Sequence, residues 1–209
     1  MPVTMNREYR KIDVAGLETR DGETGGLFVE GYACTFNDPY VLMAGDGYEF
    51  REQIAPEAFD KCDMSDVIMQ YDHNGHVFAR NRNGTLIVEP DAHGLKIRAD
   101  LSGTVGGRQL YEEIKGGYTD RMSFAFTVDP EKDERTKTKG EDGRISVLRT
   151  IRGIRKLYDV SAVSIPANDA TEISARNFCD GLIAEVTEER RAEEERRRKI
   201  QIIKTLLEV

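Results

Sequence analysis

Short apolar runs separated by turn residues dominate the hydrophobic pattern between residues 26 and 165. The runs GLFVEGYACTF, VIMQY, MSFAFTV, ISVLRT and LYDVSAVSI are rich in aromatic and β-branched residues, which favour strands. Residues 84–101 contain two further apolar runs on either side of Pro-Asp-Ala-His-Gly, a pattern typical of a β-hairpin. We therefore predict a core domain made mainly of strands, with few helices.

Two segments of this domain have helical features. In IAPEAFDKC, Pro56 suits the first position of a short helix. In VGGRQLYEEIKGG, Val105, Leu110 and Ile114 lie near helical spacing, and the glycine pair that follows can end the helix. We expect a β-rich α+β fold in which these helices flank the strands.

The chain changes character from about Glu185 onward. The segment EVTEERRAEEERRRKIQIIKTLLEV contains no Gly or Pro and alternates acidic and basic blocks. Pairs at i,i+4 with the acidic residue first favour a helix, and they are Glu193/Arg197, Glu194/Arg198 and Glu195/Lys199. Because its middle lacks apolar a/d positions, we predict a solvated helix whose Ile/Leu end docks elsewhere, not a self-sufficient coiled coil. The predicted organisation is a domain over residues 1–180 and a charged helical tail over residues 181–209.

The segment Asp129–Gly143 lies between two of the predicted strands. It is charged, rich in turn residues and nearly free of apolar residues. This composition predicts a mobile surface loop and not an element of the core.

Composition and charge exclude several classes of protein. The 209 residues are enough for one globular domain with a terminal extension, and the formal net charge is −8. This acidic balance argues against duplex nucleic acid as a partner, because phosphate binding normally needs a basic surface. We find no apolar leader at the N-terminus and no run of about 18 apolar residues, so we expect a cytosolic protein without a membrane partner.

The cysteine and glycine patterns argue against bound cofactors. Cys34, Cys62 and Cys179 are far apart and lack CxxC spacing, so we expect neither a disulfide framework nor a zinc site. The glycines of SGTVGGRQL are not followed by Gly-Lys-Ser/Thr, which excludes a phosphate-binding loop. We therefore expect no cofactor and no metal.

Candidate catalytic residues are few, because the chain contains three histidines. His73 and His76 follow the predicted strand VIMQY, where side chains can line a cleft, but such histidines are more often polar loop residues. Ser123 interrupts the apolar run of DRMSFAFTV. A buried serine bonded to the backbone is the simpler interpretation, since the G-x-S-x-G pattern is absent. The residues alone leave both interpretations open.

The chain from about Gly31 to Thr171 resembles the prohead proteases of tailed phages, whose fold is related to that of the herpesvirus assemblins. The resemblance rests on four blocks in the same order, namely YDHNGHVFARNRNGTLIVEPDAHGLKIRADL, GGRQLYEEIKGGYTD, RMSFAF and LYDVSAVSIPANDAT. It covers about two-thirds of the chain and excludes the charged tail. The implied fold is an assemblin-like β-barrel flanked by helices.

The resemblance also implies a catalytic triad. It places the nucleophile on Ser123, the general base on His73 and the third member on Asp159. The herpesvirus enzymes have a second histidine at the third position, which only His76 or His93 could supply in this chain. In the family this third position often carries Glu, so the shorter side chain of Asp159 must span the same distance to the imidazole. The oxyanion donors of the herpesvirus relatives correspond to the loop at residues 166–169.

The function implied is a serine endopeptidase that cleaves capsid and scaffold proteins, and also itself, inside the immature phage head in the host cytoplasm. The implied partners are the major capsid protein precursor and the scaffold, with a homo-oligomer left open because the herpesvirus relatives are dimers. One alternative is a noncatalytic capsid-assembly or scaffold-binding protein with the same fold. Another is an unrelated β-rich binding module. Hydrogen-bonding reach between Ser123 and His73 separates the protease from the module.

Overall fold

A computed structural model describes residues 7–12, 17–22, 25–163 and 169–207. The described strands are, in chain order, β1 (Glu8–Ile12), β2 (Glu18–Asp21), β3 (Leu27–Thr35), β4 (Tyr40–Gly45), β5 (Tyr48–Ile54), β6 (Ile68–Tyr71), β7 (Asn74–Arg80), β8 (Leu86–Pro90), β9 (Gly94–Asp100), β10 (Arg121–Val128), β11 (Asp133–Lys139), β12 (Ile145–Ile151) and β13 (Ile154–Val163). The described helices are α1 (Val105–Lys115) and α2 (Asp169–Leu207), with short 3-10 turns at Pro56–Phe59, Asn81–Asn83 and Pro130–Lys132.

Strand pairing arranges these strands in three sheets. Sheet A has the order β1-β10-β13-β6-β7, sheet B the order β2-β3-β9-β8 and sheet C the order β11-β12-β5-β4. The fold is therefore β-rich, with two α-helices in the described ranges. Among the described residues these pairings define no closed barrel, so the assemblin-like barrel stays a prediction.

Most of the predicted elements are confirmed. The five apolar runs correspond to β3, β6, β10, β12 and β13, and the predicted hairpin is β8 paired with β9. The helix predicted near residue 105 is α1, which begins after Thr104, whose hydroxyl accepts a hydrogen bond from the Gly107 N–H at 2.9 Å. The segment that begins with Pro56 forms one 3-10 turn.

The loop predicted over Asp129–Gly143 is wrong for residues 133–139, which form β11. Every residue of β11 after Asp133 is exposed, so no apolar face marks it as a strand. Its pairing with β12, together with ion pairs from Asp133 to Arg149 and from Lys137 to Glu189 on α2, holds it in place. A charged strand at the edge of a sheet also discourages pairing with other chains.

Two apolar cores hold the elements together. The larger one joins sheets A and B with α1 and includes Val29, Ile97, Leu110, Phe124 and Val160. The smaller one joins sheet C to α2 and is formed by Phe50, Ile145, Val147, Cys179 and Val186. Each fully buried aliphatic or aromatic side chain contributes about 1.5–3 kcal/mol. Sheet A, which carries the candidate site, is therefore built on the larger core.

The charged tail is helical, as predicted, but the helix begins earlier than expected. α2 runs from Asp169 to Leu207 and passes without a break through the predicted domain boundary at residue 180, which stays a prediction. The predicted pairs Glu193/Arg197 and Glu195/Lys199 are present as ion pairs. Among the described helices, none combines the length and the apolar character that crossing a membrane requires.

Candidate active site

Ser123 lies in β10, a strand buried along most of its length. The Ser123 residue has no exposed surface. It is flanked by β13, where its register partner is Ser161, and by β1, where its register partner is Lys11. Because residues opposite each other in antiparallel strands point to the same face, the neighbours of Ser123 are set by this register.

Asp159 and Ser161 lie on the same face of β13, because side chains alternate along a strand. Both are buried. The Ser161 hydroxyl donates a hydrogen bond to Asp159 Oδ1 at 2.8 Å. Since Ser161 is opposite Ser123, this register brings the carboxylate of Asp159 towards the hydroxyl of Ser123.

His73 lies in the turn between β6 and β7. Tyr71 and Asn74 pair across this turn, so Asp72 and His73 are its central residues. Both have positive φ, 47° for Asp72 and 57° for His73. A left-handed conformation at a residue other than glycine costs of order 1–3 kcal/mol and persists where surrounding contacts enforce it. One such contact is the hydrogen bond from the Asp72 N–H to the Ala162 carbonyl of β13 at 3.0 Å.

The structure brings His73, Ser123 and Asp159 together. His73 Nδ1 is 2.5 Å from Asp159 Oδ1, and His73 Nε2 is 2.6 Å from Ser123 Oγ. The side chains of His73 and Asp159 are almost completely buried, with 4% and 3% exposed. When Nδ1–H donates to the carboxylate, Nε2 is left free to accept the serine proton, which is the arrangement required for nucleophilic attack by a hydroxyl.

The other histidines lie elsewhere. His76 is exposed on β7, and the His93 ring packs edge-on against Tyr32 with centroids 4.6 Å apart. The partner of His73 is therefore the carboxylate, and not one of these histidines. The oxyanion loop expected at residues 166–169 lies outside the described residues except for its last position. Within the described ranges, no group of three or more His, Cys, Asp or Glu could hold a metal ion.

Strand β1 covers this site, a feature that the sequence pattern did not predict. Ser123 Oγ lies 2.9 Å from the carbonyl oxygen of Arg10 and can donate a hydrogen bond to it. The ring of Tyr9 packs edge-on against the His73 imidazole, with ring centroids 4.8 Å apart. β1 therefore contacts both the hydroxyl and the imidazole.

Arg10 also enters a buried cluster of charges between sheets A and C. Its Nε and Nη2 donate to the two carboxylate oxygens of Glu52 at 2.5 and 3.0 Å, and it also pairs with Glu8. Arg149 donates to Glu52 at 2.8 Å, to Glu8 at 2.9 Å and to Asp133 at 2.9 Å. Each guanidinium in the cluster thus contacts at least two carboxylates.

The cluster fixes the charge state of its members. Burial alone would raise the pKa of Glu52, but the guanidinium groups of Arg10 and Arg149 outweigh it and lower this pKa below its usual value. Burial alone would lower the pKa of Arg10, but Glu52 and Glu8 outweigh it and the pKa is raised. Glu52 and Arg10 therefore favour their ionised forms while buried.

Sequence reasoning missed Ser161, Tyr9 and the charged cluster. The alternation in Asp159-Val160-Ser161 was the available signal for Ser161, because it places the hydroxyl on the face of the carboxylate. For Tyr9 no such signal existed, because its contact with His73 depends on pairing between distant strands.

This chain is similar to known proteins of phages. The model of the caudovirus prohead serine protease family matches residues 15–181. The prohead protease of Enterobacteria phage HK97 is 29% identical over 168 residues, which cover 78% of this chain and 65% of the relative. Among solved structures, the capsid assembly protease gp21 of bacteriophage T4 is 14% identical, with a TM-score of 0.41 over 75% of this chain and 96% of that chain. Since the family model matches most of its length, this chain belongs to the caudovirus prohead serine protease family.

Proposed function

We propose that the protein is a serine endopeptidase in which Ser123 is the nucleophile, His73 the general base and Asp159 the group that orients the imidazole. The observation that supports this most is the continuous relay from Asp159 Oδ1 through both ring nitrogens of His73 to Ser123 Oγ, with distances of 2.5 and 2.6 Å. Membership of the prohead serine protease family supports the same assignment.

The proposed reaction is acyl transfer to serine followed by hydrolysis. Ser123 Oγ attacks the carbonyl carbon of the scissile peptide bond while its proton moves to His73 Nε2. The C–N bond then breaks, and the imidazolium gives that proton to the leaving amine. Water attacks the acyl-enzyme with His73 again as the base, which releases the acid product and restores the serine hydroxyl. Asp159 stabilises the imidazolium in both steps.

We propose the capsid precursor and the scaffold as substrates, cleaved inside the immature phage head, with cleavage of the protein itself as a further reaction. The family description and the name of the HK97 relative, a prohead protease, support this context. The chain spans 65% of the length of that relative, so these proposed substrates and partners are inferred from the matched part of the relative.

The C-terminal part of α2 is proposed as the element that docks the enzyme on the assembling head. Lys137 and Lys139 on β11 form ion pairs with Glu189 and Glu193 and hold the helix against sheet C. Beyond this point Ile200, Ile202 and Ile203 are exposed by 46%, 52% and 56%. Exposed apolar side chains close together are typical of a surface that binds a partner.

We also propose that the three sheets together form the assemblin-like barrel. The isolated bridge between Phe36 and Ile54 supports this, because it links the end of β3 in sheet B to the end of β5 in sheet C.

The test compares the wild-type chain with Ser123→Ala by intact mass, each incubated alone, with a fluorophosphonate probe and with its capsid precursor. We expect the wild-type chain to gain one probe adduct and to yield discrete precursor fragments, and the variant to do neither. Identical fragments from both chains would remove Ser123 from the mechanism. A wild-type chain without adduct or fragments would favour the noncatalytic assembly protein.

A further inference from the structure

Strand β1 occupies the edge of the nucleophile strand where an extended peptide could bind. β10 pairs with β13 on one side and with β1 on the other, antiparallel in both cases. Extended peptides bind proteins by adding a strand to a sheet edge, with main-chain hydrogen bonds for affinity and side-chain pockets for specificity. Because Ser123 has no exposed surface, a substrate reaches its hydroxyl when β1 leaves this edge.

β1 contacts the triad in a way that blocks the reaction. Ser123 Oγ is 2.6 Å from His73 Nε2 and 2.9 Å from the Arg10 carbonyl oxygen. A hydroxyl has one proton, so a serine that donates to this carbonyl does not donate to the imidazole. The Tyr9 ring against His73 closes the same region. β1 also lies before residues 15–181, the part of the chain that the family model matches.

The residue whose carbonyl contacts the nucleophile has its own side-chain pocket. The Arg10 guanidinium is 1% exposed and is bound by both oxygens of Glu52, which is itself 0% exposed. When β1 leaves, Glu8 leaves with Arg10. The pocket then keeps Glu52 bound by Arg149 and by the Tyr40 hydroxyl, and Asp133 bound by Arg149 and by the half-exposed Arg135. Both oxygens of the buried Glu52 carboxylate lose the guanidinium of Arg10, and this fork suits another guanidinium.

We propose that β1 is an intramolecular occupant of the substrate groove and that Glu52 is the specificity-determining residue, which selects peptides with arginine at the position of Arg10. This inference rests on the proposed function. The substrate class is an extended peptide with the pattern acidic residue, aromatic residue, arginine, as in Glu8-Tyr9-Arg10, and the bond that follows the arginine is the one presented to Ser123.

The first experiment measures cleavage of quenched fluorescent peptides by the full wild-type chain. One peptide contains Glu-Tyr-Arg-Lys-Ile, and its matched control has citrulline, a neutral residue of the same shape, in place of arginine. We expect cleavage of the arginine peptide to be about 10-fold to 100-fold faster, since the control lacks the positive charge that strengthens the hydrogen bonds to Glu52. A lysine peptide should be intermediate, because an ammonium does not form the bidentate contact.

The second experiment measures the rate at which a fluorophosphonate labels Ser123 in full-length variants. Arg10→Ala weakens the hold of β1, so we expect labelling about 10-fold faster than in the wild-type chain. The control is Arg152→Ala, which removes an arginine that is 43% exposed and paired with Glu57, and labelling should not change. Circular dichroism establishes that the variants are folded. If Arg10→Ala does not fold, the proposal is tested by the ratio of the rates at which the wild-type chain cleaves the arginine and citrulline peptides.

The outcomes separate this inference from the proposed function. Labelling of Ser123 with equal cleavage of the arginine and citrulline peptides overturns the arginine pocket and leaves the serine protease assignment intact. The same conclusion follows if Ser123 is labelled and neither peptide is cleaved. A chain that is not labelled at Ser123 under any condition overturns the proposed function, and the inference falls with it.

Discussion

Two buried polar regions of this protein are built in opposite ways and meet at β1. In the first, His73, Ser123 and Asp159 form one line of hydrogen bonds through which a proton can move. In the second, five charged side chains form crossed ion pairs, and they are Glu8, Arg10, Glu52, Asp133 and Arg149. Tyr9 contacts the first region and Arg10 the second, because successive residues of a strand point to opposite faces.

The two regions differ in what burial does: in the first it supports the proposed proton transfer, and in the second it supports the stability of the fold. A neutral imidazole between a carboxylate and a hydroxyl can gain and lose a proton without leaving an unpaired charge behind. In the charged cluster, burial alone would favour the neutral forms of Glu52 and Arg149, but the neighbouring opposite charges outweigh it, so the pKa of Glu52 is lowered and that of Arg149 is raised. Changes in the triad should therefore affect the rate of cleavage with little effect on stability, whereas changes in the cluster should lower stability whatever they do to the choice of substrate.

The largest effect expected is that of His73→Asn. Asparagine tolerates the left-handed backbone of this turn, so the fold should be kept while the proposed general base is lost. We expect kcat/KM for peptide cleavage to fall by about 10⁵-fold to 10⁶-fold. The matched control is His76→Asn, an exposed histidine of the same segment, which should leave kcat/KM unchanged. Equal losses in the two variants would contradict the assignment of His73.

Asp159→Asn should have the next largest effect. The amide keeps the shape of the carboxylate but no longer fixes the tautomer of His73 or stabilises the imidazolium. We expect kcat to fall by about 10⁴-fold, with little change in the melting temperature. Steady-state kinetics and a thermal melt measure the two quantities. A loss of less than about 10-fold would show that Asp159 is not the third member of the triad.

Glu52→Gln tests the charged cluster, because it removes a charge from the cluster and none from the triad. Two buried guanidinium groups lose their shared carboxylate, which should lower the free energy of unfolding by about 3–5 kcal/mol. Urea denaturation measures this change. Glu57→Gln, in an ion pair that is about half exposed, is the control and should cost less than about 1 kcal/mol. Similar losses in both variants would contradict the structural role of the cluster.

The same cluster predicts how stability depends on pH. The folded-state pKa of Glu52 is lower than its usual value of 4.5, so its ionised form stabilises the fold. This contribution is fully present above pH 4.5 and is lost as the pH falls through the lowered folded-state pKa. We expect urea midpoints of the wild-type chain to decrease in this acidic range and those of Glu52→Gln to decrease less. Parallel curves for the two chains would show that Glu52 does not contribute.

The sequence indicated the elements of the proposed catalytic region better than those of the charged cluster, for physical reasons. Strands such as β10 and β13 are apolar runs, and the family resemblance supplied roles for Ser123 and Asp159. The sequence did not predict the turn at His73, because Asp72-His73 is not one of the Asn-Gly or Asp-Gly pairs that usually form such turns. The barrel and the oxyanion donors stay predictions.

The charged cluster could not be predicted from the sequence. Its members come from β1, β5, β11 and β12, which are far apart along the chain. In YEFREQI of β5, Glu52 lies two positions from Phe50 and two from Ile54, so strand alternation places it on their buried face but does not identify its partners. Burial of Glu52 depends on an arginine 42 positions away and on another 97 positions away, and no local pattern records these contacts.

Ser161→Ala should have the smallest effect, and it tests how far the triad depends on its surroundings. The Ser161 hydroxyl donates to the same oxygen of Asp159 that accepts from His73, so we infer that it positions the carboxylate. Loss of one hydrogen bond to a charged group, worth about 1.5–3 kcal/mol, should lower kcat by about 10-fold or more and leave KM unchanged. Ser161→Thr keeps the hydroxyl and should restore part of the rate if the buried site admits a methyl group. If the hydroxyl stabilises the fold but has no part in catalysis, Ser161→Ala should instead lower the melting temperature without changing kcat.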